Sequence, residues 1–157
     1  MKLPPLSGRP VRVHIRTSLG PHLAATSIPP RTILLDREVL SRPGDFERIL
    51  VHELFHFSWV RLGNPRRREW SDLLESELSR AAEGELGWSA EWRKTKLSPR
   101  DWRLRSPSWR RYICESYCDT AAWLYSGVAR HPEFTLEVSS RESRRAWFRE
   151  LRNPVSI

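Results

Sequence analysis

The chain of 157 residues carries 27 Lys+Arg against 19 Asp+Glu, a formal net charge of +8, with 39% hydrophobic residues and 2 Cys. That length predicts one domain with a real core, and two cysteines four residues apart exclude a disulfide framework, so reduced thiols are expected. No apolar stretch approaches the roughly 18–20 residues of a membrane span, and Pro4, Pro5, Pro10 and several charges break residues 1–16 before a signal-peptide core could form; a cytoplasmic protein without membrane contact is expected.

Residues 11–16 alternate apolar and basic side chains with period two, which predicts a half-buried strand. Residues 32–36 (Thr32, Ile33, Leu34, Leu35, Asp36) predict a second strand, and the preceding Pro29 and Pro30 place it at a sheet edge. Residues 17–30 are too rich in Pro, Ser, Thr and Gly to assign. From Asp45 the period changes: Phe46, Ile49, Leu50, Glu53, Leu54, Phe57 and Val60 fall on helical spacing, with Gly63, Asn64 and Pro65 as a stop. This predicts a helix over about residues 45–62, apolar on more than one side and therefore buried.

A second helix is expected after Asn64, with Pro65 at its first position and Leu73, Leu74, Leu78, Ala81 and Ala82 toward the core. Residues 84–108 read as irregular. Ser106 and Pro107 open a third helix to about Tyr125, ended by Gly127. Ser139 and Glu142 have capping-box spacing before a short basic helix over residues 140–151. The elements together predict one α+β domain, a small, mostly antiparallel sheet packed on a central helix with further helices behind it.

Within the first helix stands His52-Glu53-Leu54-Phe55-His56, an H-E-x-x-H sequence. Spacing of four puts both imidazoles on one helical face, about one turn apart, where two ring nitrogens can converge on one Zn²⁺. Glu53 lies beside them and can take a proton from a water that the metal has acidified. The bland alternative is a coincidence of two core histidines and a glutamate. Among Leu50, Val51, Leu54, Phe55 and Phe57, however, burying these groups without partners would cost several kcal/mol, and a metal removes that penalty.

Two histidines leave a zinc site one protein ligand short. Trp59 and Leu62 stand where an H-E-x-x-H-x-x-G-x-x-H pattern needs Gly and His, and the only histidine downstream is His131. The better candidate is Glu115: of 14 Glu, it alone has an Asp four residues later, Asp119. On one side of the third helix, Glu115 could reach the metal while Asp119 accepts a hydrogen bond from the far nitrogen of a ligating His. Its plain counterpart is a pair of exposed acids answering Arg110 and Arg111. A hydrogen-bond donor opposite the metal is also required, and Tyr112 and His131 are the two candidates. Cys114 and Cys118 are expected to pack as small buried side chains. Trp59, Trp109 and Trp123 are expected in the core, and Trp88, Trp92 and Trp102 along one wall of a cleft.

These motifs resemble the gluzincin group of zinc metallopeptidases, most of all its minimal single-domain members; the resemblance covers about a third of the chain. It implies a zincin-like fold, Zn²⁺ as cofactor, a peptide or protein substrate, His52, His56 and Glu115 as ligands, Glu53 as general base and Asp119 as the partner of His52. It further implies that the strand before the motif helix forms the edge on which an extended peptide lies. The gap between His56 and Glu115 is longer than in the compact members.

Two other classes stay open. A zinc-containing regulatory protein could use its arginines on nucleic acid, with Trp and Arg interleaved over residues 102–111, although the basic excess, 24 Arg against 3 Lys, is spread along the whole chain. A helical interaction module without metal is the other.

Overall fold

A computed structural model describes residues 1–151 and 155–157. Five short strands, β1 (Leu6–Ser7), β2 (Arg12–Arg16), β3 (Ala24–Ser27), β4 (Thr32–Asp36) and β5 (Val155–Ser156), accompany six α-helices. The helices are α1 (Asp45–Arg61), α2 (Asn64–Ser79), α3 (Trp88–Lys94), α4 (Pro99–Arg103), α5 (Pro107–Tyr125) and α6 (Val138–Arg149). The architecture is α+β, as expected from the mixture of periods. Among the described residues, no helix is long and apolar enough to cross a membrane.

The sheet differs from the expectation in three ways. It is mixed rather than mostly antiparallel, with strand order β2-β4-β3: β4 runs parallel to β2 and antiparallel to β3. A chain that reverses between successive strands gives β2 and β4 the same direction, so placing β4 in the middle makes one pairing parallel. The separate pair β1 and β5 is parallel too. Second, β4 is the central strand, because Pro29 and Pro30 sit in the turn before it and occupy no ladder position. Third, β2 is exposed along its length, Val13 and Ile15 included, because α1 packs over β3 and β4 and leaves β2 uncovered.

β3 carries little sign in the sequence, because Ala-Ala-Thr-Ser is a weak strand sequence. It forms by pairing Ala24 with Leu35 and Ser27 with Thr32 across a turn closed by a bond from Arg31 N to Ile28 O. Arg31 takes positive φ there (53°) and turns its side chain inward. Its guanidinium lies over the Phe57 ring and donates to the carbonyls of Arg9 and Ile157, tying β1 and β5 to the sheet.

α1 is apolar on two sides because it lies between two cores. Leu54 and Phe57 meet Ile33, Leu35 and Ile157 on the sheet side. Val51 and Phe55 meet Trp70, Leu74, Tyr117, Trp147 and Phe148 on the helical side. Arg67 joins α1 to α2 by donating twice to Trp59 O (2.7 and 3.1 Å) and stacking on that indole, so it is part of a helix joint and not of a solvated turn. Along α2, Leu74 is fully buried, Leu73 and Leu78 are half-buried, and Ala81 is exposed just past its end.

α5 begins as expected, with Ser106 Oγ accepting from Trp109 N (3.2 Å). The capping box before α6 does not form: Glu137 precedes the first turn, and Ser139 and Ser140 both donate to its carboxylate (2.9 Å each). Residues 84–108, expected to be irregular, contain α3 and α4. The buried face of the terminal helix α6 contributes Arg144, which is fully buried and lies between Glu77 and Glu85. Burial raises the Glu77 carboxyl against the pull of Arg144, whereas Glu85, also pressed upward by burial, is held below its ordinary range by the same guanidinium.

Candidate metal centre

The α1 and α5 axes bring the two motifs together. His52 Nε2 stands 3.2 Å from Glu115 Oε2, and His52 Nδ1 stands 2.7 Å from Asp119 Oδ1. One imidazole therefore meets a carboxylate at each nitrogen, which is the relation that the i, i+4 spacing of Glu115 and Asp119 allows. Asp119 is in turn fixed by Ala90 N, which donates to its other oxygen (2.9 Å). Glu115 Oε1 is 3.3 Å from Arg93 Nη2. His56 lies one turn along α1, its ring 5.0 Å from that of His52 and nearly perpendicular to it. Glu53 is buried at 9% exposure and lines the adjoining cleft.

These contacts set the charge states. Burial presses the His52 imidazole toward neutrality, but the Asp119 carboxylate and then Glu115 carry its pKa well above the ordinary value. Burial pushes Glu115 up, yet its bond to His52 brings it down to about 2. Glu115 and Asp119 thus both address His52, one at each ring nitrogen, on the buried seam between α1 and α5.

The thiols depart from the expectation of simple packing. Cys114 Sγ and Cys118 Sγ lie 3.6 and 3.5 Å from His56 Nδ1. Among the described residues, the donor atoms that fall within 4.8 Å of one another are those of His52, His56 and Cys118, a His/His/Cys group that could hold a metal; Glu115, the ligand expected from the sequence, is not in that group. Burial pushes the Cys118 thiol up, and the bond from Cys118 draws Cys114 down.

Neither candidate for the donor role faces this cluster. Tyr112 is fully buried on another side of α5, where its hydroxyl donates to Glu85. Three residues on a helix leave an angular offset of about 60°, enough to turn Tyr112 away from the Glu115 face. His131 lies apart from the cluster: its Nε2 is 3.1 Å from Asp45 Oδ1, and its Nδ1 accepts from Glu133 N (3.2 Å). Both ring nitrogens are committed at the start of α1, two turns from His52.

A cleft of about 310 Å³ opens beside His52 and Glu53. Its walls are His22, Leu23 and Ala24 from the segment entering β3, Arg48 and Ile49 from α1, and Trp88 and Glu133. Trp92 and Trp102, expected in this wall, are not part of it. A separate, smaller hollow of about 150 Å³ is lined by Thr26, Ile28, His56, Trp59 and Cys114. Both openings follow β3, which among the described residues is paired on one side only. The Trp/Arg run over residues 102–111 presents no stacking face at Trp109, which is fully buried with its indole N–H donated to Ser71 (2.9 Å).

α3 supplies the contacts that sequence reasoning missed. Gly87, Ala90 and Arg93 all lie against Asp119 or Glu115, and no periodic signal marks so short a helix. Gly87 is there for space: a Cβ would stand 2.3 Å from Asp119 Cγ and Oδ1. Gly87→Ala is therefore expected to push Asp119 off His52 and weaken binding of a divalent cation by about 10–100-fold, the usual effect of losing a ligand's supporting partner. Competition with a chromophoric chelator measures this, and unchanged affinity would detach Asp119 from cation binding. Compared with family models, curated proteins and solved structures, the chain matches none.

Proposed function

We propose that the chain is a zinc-dependent hydrolase of the metallopeptidase kind, a gluzincin-like protein with a zincin-like fold. The observation that carries this reading is the pairing of one histidine of H-E-x-x-H with Glu115 at 3.2 Å on one nitrogen and with Asp119 at 2.7 Å on the other. Chance proximity of buried acids would not account for both nitrogens being addressed by residues four apart. In this reading His52, His56 and Glu115 hold the metal, and Asp119 fixes the tautomer and ring angle of His52.

When bound, zinc would polarise a carbonyl oxygen and acidify a water. Glu53 follows His52 directly on α1 and opens into the cleft, where its carboxylate takes the proton of the attacking water and passes it to the departing amine. Of the hydrogen-bond donors in the cleft wall, Arg48 already binds Glu133 (2.8 and 2.9 Å) and Asp45 (3.2 Å). His22, Trp88 and Ser89 make no side-chain hydrogen bond among the described residues, and they are the cleft-wall donors available to a developing oxyanion. The substrate is a peptide or protein segment in extended form. Since β4 is enclosed by its neighbours, the strand beside which such a segment would pair is β3.

Protein purified without added zinc is expected to contain close to one equivalent of it, and Glu115→Ala to lose most of that metal while His131→Ala keeps it. Elemental analysis of the three proteins, followed by mass-spectrometric assay on a peptide library, tests the reading. Metal-free wild-type protein that stays inert after zinc is supplied would overturn it.

A further inference from the structure

One cluster is left unused by that chemistry. Cys114 and Cys118 are four apart on α5, so their thiols share a face, and both point at the same atom, Nδ1 of His56, at 3.6 and 3.5 Å. Cys118 is fully buried, whereas Cys114 and His56 reach solvent through the small hollow beside Thr26, Ile28 and Trp59. Two sulfurs thus meet one imidazole nitrogen of His56, while Glu115 meets His52 and neither thiol is paired with it. The donors differ in kind: thiols favour soft cations, whereas imidazole with carboxylate suits zinc and harder ions.

We propose that Cys114, Cys118 and the Nδ1 of His56 form a binding site for a soft d¹⁰ cation, Cu(I) being the physiological representative. The cation would take the place of the two thiol protons, which leave to solvent, so no electron is transferred. Three donors of the S₂N type meet the low coordination number that Cu(I) accepts. The hollow lined by His56 and Cys114 gives it a path of entry that does not pass through the larger cleft. Because His56 serves both donor sets, a cation on its Nδ1 ties zinc retention to the supply of soft metal. That link rests on the hydrolase reading; the thiol site itself does not.

Cadmium is a convenient probe, because its bonds to sulfur absorb in the ultraviolet. Under anaerobic, thiol-free reducing conditions, the metal-free full chain titrated with Cd²⁺ is expected to develop a sulfur-to-metal charge-transfer band that saturates. Band intensity counts thiolate bonds, so Cys114→Ser or Cys118→Ser alone should lower it by about half, and the double variant should abolish it. Glu115→Gln should leave it in place. Cys114→Ser, which leaves the His52, His56 and Cys118 group whole, should still bind zinc; loss of zinc together with the drop in the band would overturn the separation into two donor sets. Absence of the band in the wild-type chain, or its survival in the double variant, would overturn the site. Cadmium NMR of the unaltered protein needs no substitution: a strongly deshielded resonance is expected, and one in the range of nitrogen and oxygen ligands would overturn the assignment. Failure of zinc-dependent hydrolysis with the band intact would count against the enzyme and leave the thiol site standing.

Discussion

Glu53→Gln is expected to keep its zinc and lose its turnover, with the rate of peptide hydrolysis falling by about 10²–10⁴-fold, the range that a positioned acid–base group contributes. The substitution preserves the size of the side chain and its place in the cleft wall, and it removes only the ability to accept a proton. Glu53 touches neither ring nitrogen of His52 nor the thiols beside His56, so metal content should match that of the unaltered chain. The paired measurement is steady-state turnover together with elemental analysis of the same samples. Full activity in the glutamine variant would remove Glu53 from the chemistry; loss of the metal would mean that the residue helps to bind it.

Arg144→Ala is expected to destabilise the fold by about 3–5 kcal/mol, since it leaves buried carboxylates without their counter-charge. Arg144 Nη2 lies 2.6 Å from Glu77 Oε2 and Nη1 lies 2.7 Å from Glu85 Oε2, with all three side chains almost wholly shielded from water. Glu85 also accepts from Tyr112 and has Lys94 Nζ at 3.9 Å. The network links α2, α5, α6 and the segment before α3, so its failure would spread across the helical layer. Urea unfolding measures the loss. Replacing Arg144, Glu77 and Glu85 together by apolar residues of similar volume should recover most of it, because no buried charge is then left alone. A change below about 1 kcal/mol in Arg144→Ala would show that water reaches these carboxylates.

The parts of the site that the sequence displays are those set by local geometry. His52, Glu53 and His56 share one turn of a helix, and Glu115 and Asp119 share another, so fixed spacing on a regular element is enough to place each pair. Their meeting is visible only as a chemical need, two imidazoles lacking a third ligand. The supports are different. Ala90 and Arg93 come from a seven-residue helix without a strong apolar period and Gly87 from the position just before it, and they touch the site through a backbone N–H, a guanidinium and an absent Cβ. None of these leaves a mark on hydrophobic spacing.

Tyr112 stands near Glu115 in sequence, yet it is turned about the α5 axis toward a buried acceptor, Glu85, that lies far off in the chain. The strand order is hidden from the sequence for a related reason. Strand order depends on which strand slips between two others, and a proline next to a strand can belong wholly to the preceding turn, as Pro29 and Pro30 do. Arg144 had no sequence sign at all: an arginine in a basic helix reads as solvated until two distant glutamates are found around it.

The pairing of Leu6 with Val155 and Ser7 with Ser156 bears on the order of assembly. β1 precedes its partner β5 by about 150 residues and has no ladder to join until that stretch has followed. Closing so long a loop is slow compared with forming neighbouring helices. The helical layer and the β3–β4 hairpin can therefore settle first, and β5 docks last, bringing Ile157 beneath Arg31 as a latch on an already folded body.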